Sequence, residues 1–399
     1  MSLASAAEAQ TPAPAAPPPR IGAPAISAAS ARQLHAAFEH LYSLDFKEAR
    51  ALFEAVIRAE PKSATARVFL ASALLYEILA HQGTLLTQLF TPSNEFLRAN
   101  RLPPDPALKR RFHELTAEAR QLAETRRQQN PDDPDALFAL GLLNGNLANY
   151  AAGVDGEYVR GFRAGERAQA YHERLRKLRP DIHDTGIVLG IHQYILGSLP
   201  AAARFFLFFV GARGNRLRGV DYLEDAARQG EYLRTYGQIL CGIVYLRAED
   251  IPRARAIAED LHARYPRNQI FALELARAYR LEKNYAKALE SSRALQAELS
   301  AHPHNPRLVG PEDALLEIAF AEAAQGDPRR ALATLGQVDA VVGGNKRVEA
   351  QAALESGKLF DQLGQRAPAQ AAYDKVIRLA ADPSATKLAQ KYRKRPYKP

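Results

Sequence analysis

A spacing that returns every 34 residues constrains this chain more than any other feature of its sequence. Gly242, Tyr245, Ala254, Ala258, Leu261 and Pro266 are followed, 34 residues later, by Ala276, Tyr279, Ala288, Ser292 and Leu295. The same internal steps place Ala319, Glu322, Ala331, Leu335 and Val338, then Gly357, Phe360, Ala369, Tyr373 and Val376. Near the start they place Ala37, His40, Ala49, Phe53, Val56 and Pro61. Self-similarity of this kind marks a repeat architecture, in which one unit cannot bury its own apolar face and must stack on its neighbours.

Each window reads as a helix, a short polar turn ("AED", "QGDP", "LGQR") and a second helix. Small residues, Gly242 with Ala254 and Gly357 with Ala369, are expected where the two helices cross closely. Pro61, Pro131, Pro180 and Pro266 stop second helices, because proline disfavours helix in the residue before it. The pattern predicts an all-α fold, a right-handed superhelical array of about seven or eight antiparallel helix pairs over residues 31–382. Residues 1–30 are Ala/Pro-rich, with six prolines between Pro12 and Pro24, and are expected to stay extended and unpacked. Their small residues before Gln10 read either as a linker of a cytoplasmic chain or as the end of an export signal whose start lies upstream. Residues 383–399 read as a basic, solvated C-terminal tail outside the last repeat.

The N-terminal half departs from regularity through insertions. "GTLLTQLFTPSNEFLRANRLPPDP" delays a second helix to about Ala107, and "AAGVDGEYVRGFRAG" precedes a helix expected over Glu166–Leu178. A third insertion carries Phe205, Phe206, Phe208 and Phe209 between Arg204 and Arg213. Residues 201–211 read as an extra helix or a displaced second helix, and three roles stand for them. They are a plug buried between repeats, a short segment at a lipid surface, or part of a partner groove. Eight apolar residues of helix span about 12 Å and cannot cross a bilayer core of about 30 Å.

The 34-residue helix-turn-helix pattern resembles the tetratricopeptide repeat, most strongly over 235–295 and 350–380. The aromatic that family carries early in first helices is mostly missing here. Within residues 190–227 the order Leu199-Pro200, Phe205 to Gly211, Gly214-Asn215-Arg216 and Gly219-Val220-Asp221-Tyr222-Leu223 resembles a narrower group, tetratricopeptide repeat protein 39 and the yeast inclusion-clearance protein. Asn215 stands where that group has an acid. The resemblance implies a helical adaptor with links to membranes or lipid bodies and no catalysis.

Signatures of chemistry are sparse. His113-Glu114 and His172-Glu173 open like zinc-protease helices but lack the histidine four residues after the first, and no phosphate-binding or nucleophile-elbow motif occurs. His302 and His304 sit in a proline-broken loop without a nearby cysteine, so no metal or other cofactor is expected. Cys241, the one cysteine, is expected to be an inert buried thiol, and Asp184 the N-cap of its helix. Of the 53 basic residues six lie from Lys387 onward, where none of the 44 acids falls, so most of the net charge of +9 sits in the tail. Lys391, Arg393, Lys394 and Arg395 are its candidate anion-binding residues.

These observations predict a non-catalytic scaffold that binds a protein, as a peptide or partner helix, in the concave groove lined by first helices. By register Asn146, Tyr194, Tyr236, Arg247 and Arg280 point there, and Tyr and Arg dominate binding hot spots. The alternative is a peripheral membrane adaptor using the phenylalanine segment and the tail. A nucleic-acid partner is not expected.

Overall fold

The computed structural model describes residues 26–82, 103–199, 214–301, 308–341 and 343–398. The described residues form seventeen α-helices and no strand. The first four pairs are α1 (Ala28–Tyr42) with α2 (Phe46–Ala59), α3 (Ala64–His81) with α4 (Pro106–Gln129), α5 (Pro134–Asn149) with α6 (Tyr158–Leu178), and α7 (Thr185–Gly197) with α8 (Arg216–Gln229). The next four are α9 (Arg234–Arg247) with α10 (Ile251–Arg264), α11 (Gln269–Leu281) with α12 (Tyr285–Ala301), α13 (Pro311–Ala324) with α14 (Pro328–Val338), and α15 (Lys346–Gln362) with α16 (Arg366–Leu379). A last helix, α17 (Pro383–Lys394), packs on α15 and α16. Eight pairs therefore stack as an all-α helical-repeat superhelix.

The repeat register is a burial register. Ala37, Ala276 and Ala319 of first helices and Ala49, Ala254, Ala288, Ala331 and Ala369 of second helices are all buried. The seam positions Phe53, Leu335 and Tyr373 are buried with them. The turns repeat as well. Seven residues after each small first-helix residue stands one with left-handed backbone, at Leu44 (φ 66°), Glu249 (59°), Lys283 (64°), Gly326 (86°) and Gly364 (71°). The next amide then reaches back to a carbonyl five residues earlier, as in Asp250 N to Tyr245 O and Asp327 N to Glu322 O, both bonds that satisfy a helix end.

The third pair is connected differently. There a π-helical turn over Tyr150–Asp155 prolongs α5, and α6 starts at Tyr158, eight residues before the expected Glu166. In the fourth, Gly219, Leu223 and Ala226 line the buried face of α8, as their spacing predicts. The phenylalanine segment lies outside the described residues.

Two expectations are corrected. Residues 383–394 do not form a solvated tail but a helix that closes the last repeat with buried Ala385 and Ala389. Beyond it, Tyr397 N donates to Asp361 Oδ2 at 2.7 Å. The close crossing expected at Gly242 is looser than assumed, since a Cβ there would meet only Ile257 Cγ2 at an ordinary 3.5 Å. Tighter crossings include Gly141, where a Cβ would lie 1.9 Å from the His172 ring, Gly357, 2.4 Å from the Tyr373 ring, and Gly190, 2.6 Å from Leu223 Cγ.

Candidate functional site

First helices of a superhelix line its inner face, and here the N-terminal part of that face is filled by the protein itself. The sequences of α3 and α5, "RVFLASALLYEILAH" and "ALFALGLLNGNLAN", carry almost no polar stripe. A helix apolar on all sides has to be covered on all sides. α3 is long and apolar enough to cross a membrane by composition, but most of it is buried in the core. The covering comes from the neighbouring repeats and, at one point, from a repeat far along the chain. The Phe69 ring of α3 meets Phe38, Phe138 and Tyr232 at centroid distances of 5.2, 6.1 and 5.3 Å. Tyr232, in the turn before α9, also stacks on His35 of α1 at 5.0 Å.

The array closes on its own first repeat. Tyr265 OH donates to Glu39 Oε1 at 3.1 Å, and Asn268 Nδ2 to Tyr42 O at 2.7 Å, both across 226 residues of sequence. Arg267 pairs with Asp45 at the same seam. Asp184 supports it from behind and corrects the N-cap expectation. Its buried carboxylate makes no cap bond to α7 but accepts the amides of Glu231, Tyr232 and Leu233 at 3.0, 3.3 and 2.8 Å. Burial pushes its pKa up although these three bonds oppose the shift.

Packing decides where the groove candidates fall. Asn146 is buried and ties α5 to α3, donating to Ser72 Oγ at 2.8 Å. Tyr194 is buried among Leu223, Cys241 and Val244, under the Arg216 guanidinium at 5.5 Å. Tyr236 is half-buried against the main core. Asn146 and Tyr194 are therefore taken up by packing between neighbouring repeats. The missing polar stripe of α3 and α5 was the signal in the sequence.

The other two candidates lie on the C-terminal ends of first helices. Arg247, the last residue of α9, is half-exposed and makes no hydrogen bond or ion pair among the described residues. Leu281, 34 residues later at the end of α11, is 41% exposed. Beside it Arg280 donates to Glu317 Oε2 at 2.7 Å and lies over the Phe320 ring at 5.0 Å. Arg277 bridges Glu274 and Glu317 at 2.8 and 3.1 Å. Burial alone would raise Glu317, but the two guanidiniums outweigh it and hold its carboxyl below the usual range. Glu274, which accepts from Arg277, is raised, its burial outweighing the attraction of Arg277 and Arg280.

A cavity of about 470 Å³ opens at the closure seam, between His35, Glu39 and Tyr42 of α1 and Glu231, Arg234 and Arg264. Among the described residues no three His, Cys, Asp or Glu side chains converge as a metal site. His302 and His304 lie outside those residues. The Cys241 thiol is buried and pushed up to about 12, which keeps it protonated. His183 faces Asp225 at 3.0 Å and His192 faces Glu166 at 2.6 Å. These pairs link successive helices, with Arg176 completing the first at 2.7 Å from Asp225.

Stacked antiparallel helix pairs with a shared turn and a capping helix define a helical-repeat protein. The tetratricopeptide repeat family model matches residues 23–76 and 242–306, and the chain is a tetratricopeptide-type repeat protein. No curated protein matches it. Similar solved structures include the APC/C hetero-tetramer Cut9–Hcn1, at 9% identity over 87% of this chain and 52% of that chain, with a TM-score of 0.46. This chain thus spans about half the length of that one. Yeast Tom70 is 10% identical over 88% and 86% of the two chains, with a TM-score of 0.39. The human IFIT1 dimer with m7Gppp-AAAA is 14% identical over 92% and 82%, with a TM-score of 0.39. None of these matches reaches the narrower family suggested by residues 190–227.

Proposed function

We propose that the protein is a non-catalytic scaffold that holds a partner peptide or helix on its C-terminal half, at the first-helix ends from α9 to α13. One observation carries this reading: Arg247 has no hydrogen-bond or ion-pair partner among the described residues. It stands one repeat from exposed Leu281, with Arg280 laid flat over Phe320 beyond. A cation left free, an exposed leucine and a guanidinium–aromatic stack suit a ligand that alternates acids with apolar side chains. Arg280 is already satisfied by Glu317, so Arg247 is the residue expected to gain an ion pair on binding.

Affinity capture from the native host tests this with Arg247→Glu and Leu281→Asp as bait variants and exposed Arg163→Glu as control. A partner that binds wild type and the control but is lost from both variants is the expected result. Capture that both variants retain in full would remove the site.

A further inference from the structure

The capping helix α17 carries its charge on one side. Its inner side is fixed by Ala385, Ala389 and the half-buried Tyr392. Its outer side exposes Lys387, Lys391 and Lys394, at steps of four and three residues that place them on one helical face, followed by Arg395 and Lys398. None of these five cations makes an ion pair or hydrogen bond among the described residues; Lys391 only lies over the Tyr392 ring at 5.5 Å.

The acids that could neutralise them are used elsewhere. Asp361 is buried and accepts from Arg366 Nη1 at 2.9 Å, Tyr373 OH at 2.9 Å and Tyr397 N at 2.7 Å. Asp382 is buried and caps α17 through the amides of Ser384 and Ala385 at 2.9 and 3.0 Å. Asp374 pairs with Arg393. The fold thus turns its acids inward and leaves a row of unpartnered cations outward.

We propose that this face docks on an anionic bilayer surface. Leu388, 36% exposed and next to Lys387, gives it one apolar contact at headgroup depth. The tyrosines argue against a single-stranded nucleic acid. Tyr392 packs on Tyr373 and Tyr397 at 5.9 and 5.2 Å, and Tyr397 lies under Lys358 at 5.6 Å. Their rings are engaged within the protein and offer bases no stacking platform. A cluster of lysines and arginines on a surface helix gains about fivefold in partition per cation from acidic lipid, and this gain falls with salt. The proposal is independent of the peptide site, which lies on other helices.

Co-sedimentation of the full chain tests it, with phosphatidylcholine vesicles with and without phosphatidylserine. Binding only to the acidic vesicles, weakened by salt, is expected. Lys387→Glu/Lys391→Glu/Lys394→Glu should lower it on the order of a hundredfold, while Arg163→Glu/Lys177→Glu/Arg329→Glu leaves it unchanged. A helical circular-dichroism spectrum with an unshifted melting midpoint shows that the variant is folded. If it is not, the milder triple change to glutamine replaces it and should still lose most binding. Equal binding to neutral vesicles, no binding to acidic ones, or equal losses in the two triple variants would each overturn the proposal. So would a single-stranded oligonucleotide that needs these lysines where vesicles do not bind.

Discussion

The two ends of the array are built from the same repeat yet cohere differently. From α1 to α13 one large apolar core runs from Leu34 to Ala314, with the first repeat pressed against the turns before α9 and α11, and two smaller clusters lie beside it around Tyr194 and Tyr279. Beyond it the buried residues separate into local clusters, one from Leu315 to Leu359 and another from Ala350 to Ala389. The closed part thus gains contacts between residues more than 220 positions apart, whereas the distal arm has only its neighbours. A repeat array of the second kind has a stability that sums over adjacent interfaces and frays from its end. The difference teaches that closure, and not the repeat, decides which first-helix surfaces remain open to a partner.

The strongest way to break this comparison is to open the closed core at its centre. Phe69 is fully buried and touches three rings from α1, α5 and the turn before α9. Phe69→Ala should cost about 3 to 5 kcal/mol, measured by denaturant unfolding. Hydrogen exchange should then quicken from α1 through α11. Leu359→Ala, a comparable loss in the arm, should quicken exchange only in α13 to α16. A Phe69→Ala effect confined to α3 would mean that the closure contributes no cooperativity.

A pH titration separates the halves with a somewhat smaller effect. His172 is buried, stacked on Phe138 at 5.5 Å, and within 3.1 Å of its carbonyl. Burial lowers its pKa from 6.5 to about 4, outweighing backbone bonds that act the other way. Between those values the unfolded chain binds a proton that the folded chain does not, so acidification favours unfolding. The contribution is fully present above about 6.5 and is lost as pH falls toward about 4, about 3 kcal/mol in all. Residues 308–398 contain no histidine, so the arm should hold its stability through this window. Unfolding followed from pH 7 to 4.5, with His172→Gln flattening the slope, checks it. A slope unchanged in that variant would remove His172 as its origin.

How much of this was legible in the sequence follows the same division. Most register residues of five repeats are buried where their spacing placed them, His40 and Phe360 being half-buried, since a 34-residue pattern of small and apolar residues is a local property of one helix pair and its neighbours. Closure was not legible. It depends on Tyr232, Tyr265 and Asn268 meeting α1, which no local spacing encodes, although the unstriped apolar helices α3 and α5 showed that something must cover them. Asn146 and Tyr194 are taken up by packing between neighbouring repeats, which the register alone does not show. Asp184 was misassigned because a residue before a helix is read as its cap, while its carboxylate reaches a turn some 47 residues away. The tail misled through its composition: six cations suggested solvation, but alternate turns of Ala385, Ala389 and Tyr392 give it an inner face.

Glycine packing sharpens the comparison further. In the arm, Gly357→Ala would place a methyl 2.4 Å from the buried Tyr373 ring, whose hydroxyl donates to Asp361 at 2.9 Å. The ring must move and that bond must loosen, a cost of about 1 to 3 kcal/mol borne by the last repeats. Gly242→Ala in α9 meets only ordinary contact and exchanges glycine for the better helix former, a gain of up to about 1 kcal/mol. Thermal melts of the two variants should move in opposite directions. Movement in the same direction would show that the crossings are alike.

The smallest expected effect concerns the turn that the five regular repeats share. At its left-handed position the last two regular pairs carry Gly326 and Gly364, whereas the earlier ones carry Leu44, Glu249 and Lys283. A side chain at φ near +60° crowds the following carbonyl, at a cost of about 1 to 2 kcal/mol. Glycine relieves this but loses more freedom on folding, by about 0.5 to 1 kcal/mol. Lys283→Gly should therefore stabilise by about 0.5 kcal/mol. The position suits the test because Lys283 makes no ion pair among the described residues and its amide bonds Arg280 O through the backbone, which the change preserves. The same change at Lys287, inside α12, should destabilise by about 1 kcal/mol, since there glycine relieves no strain. Denaturant midpoints of the two single variants decide it, and a Lys283→Gly variant as unstable as Lys287→Gly would mean that the turn is not left-handed in solution.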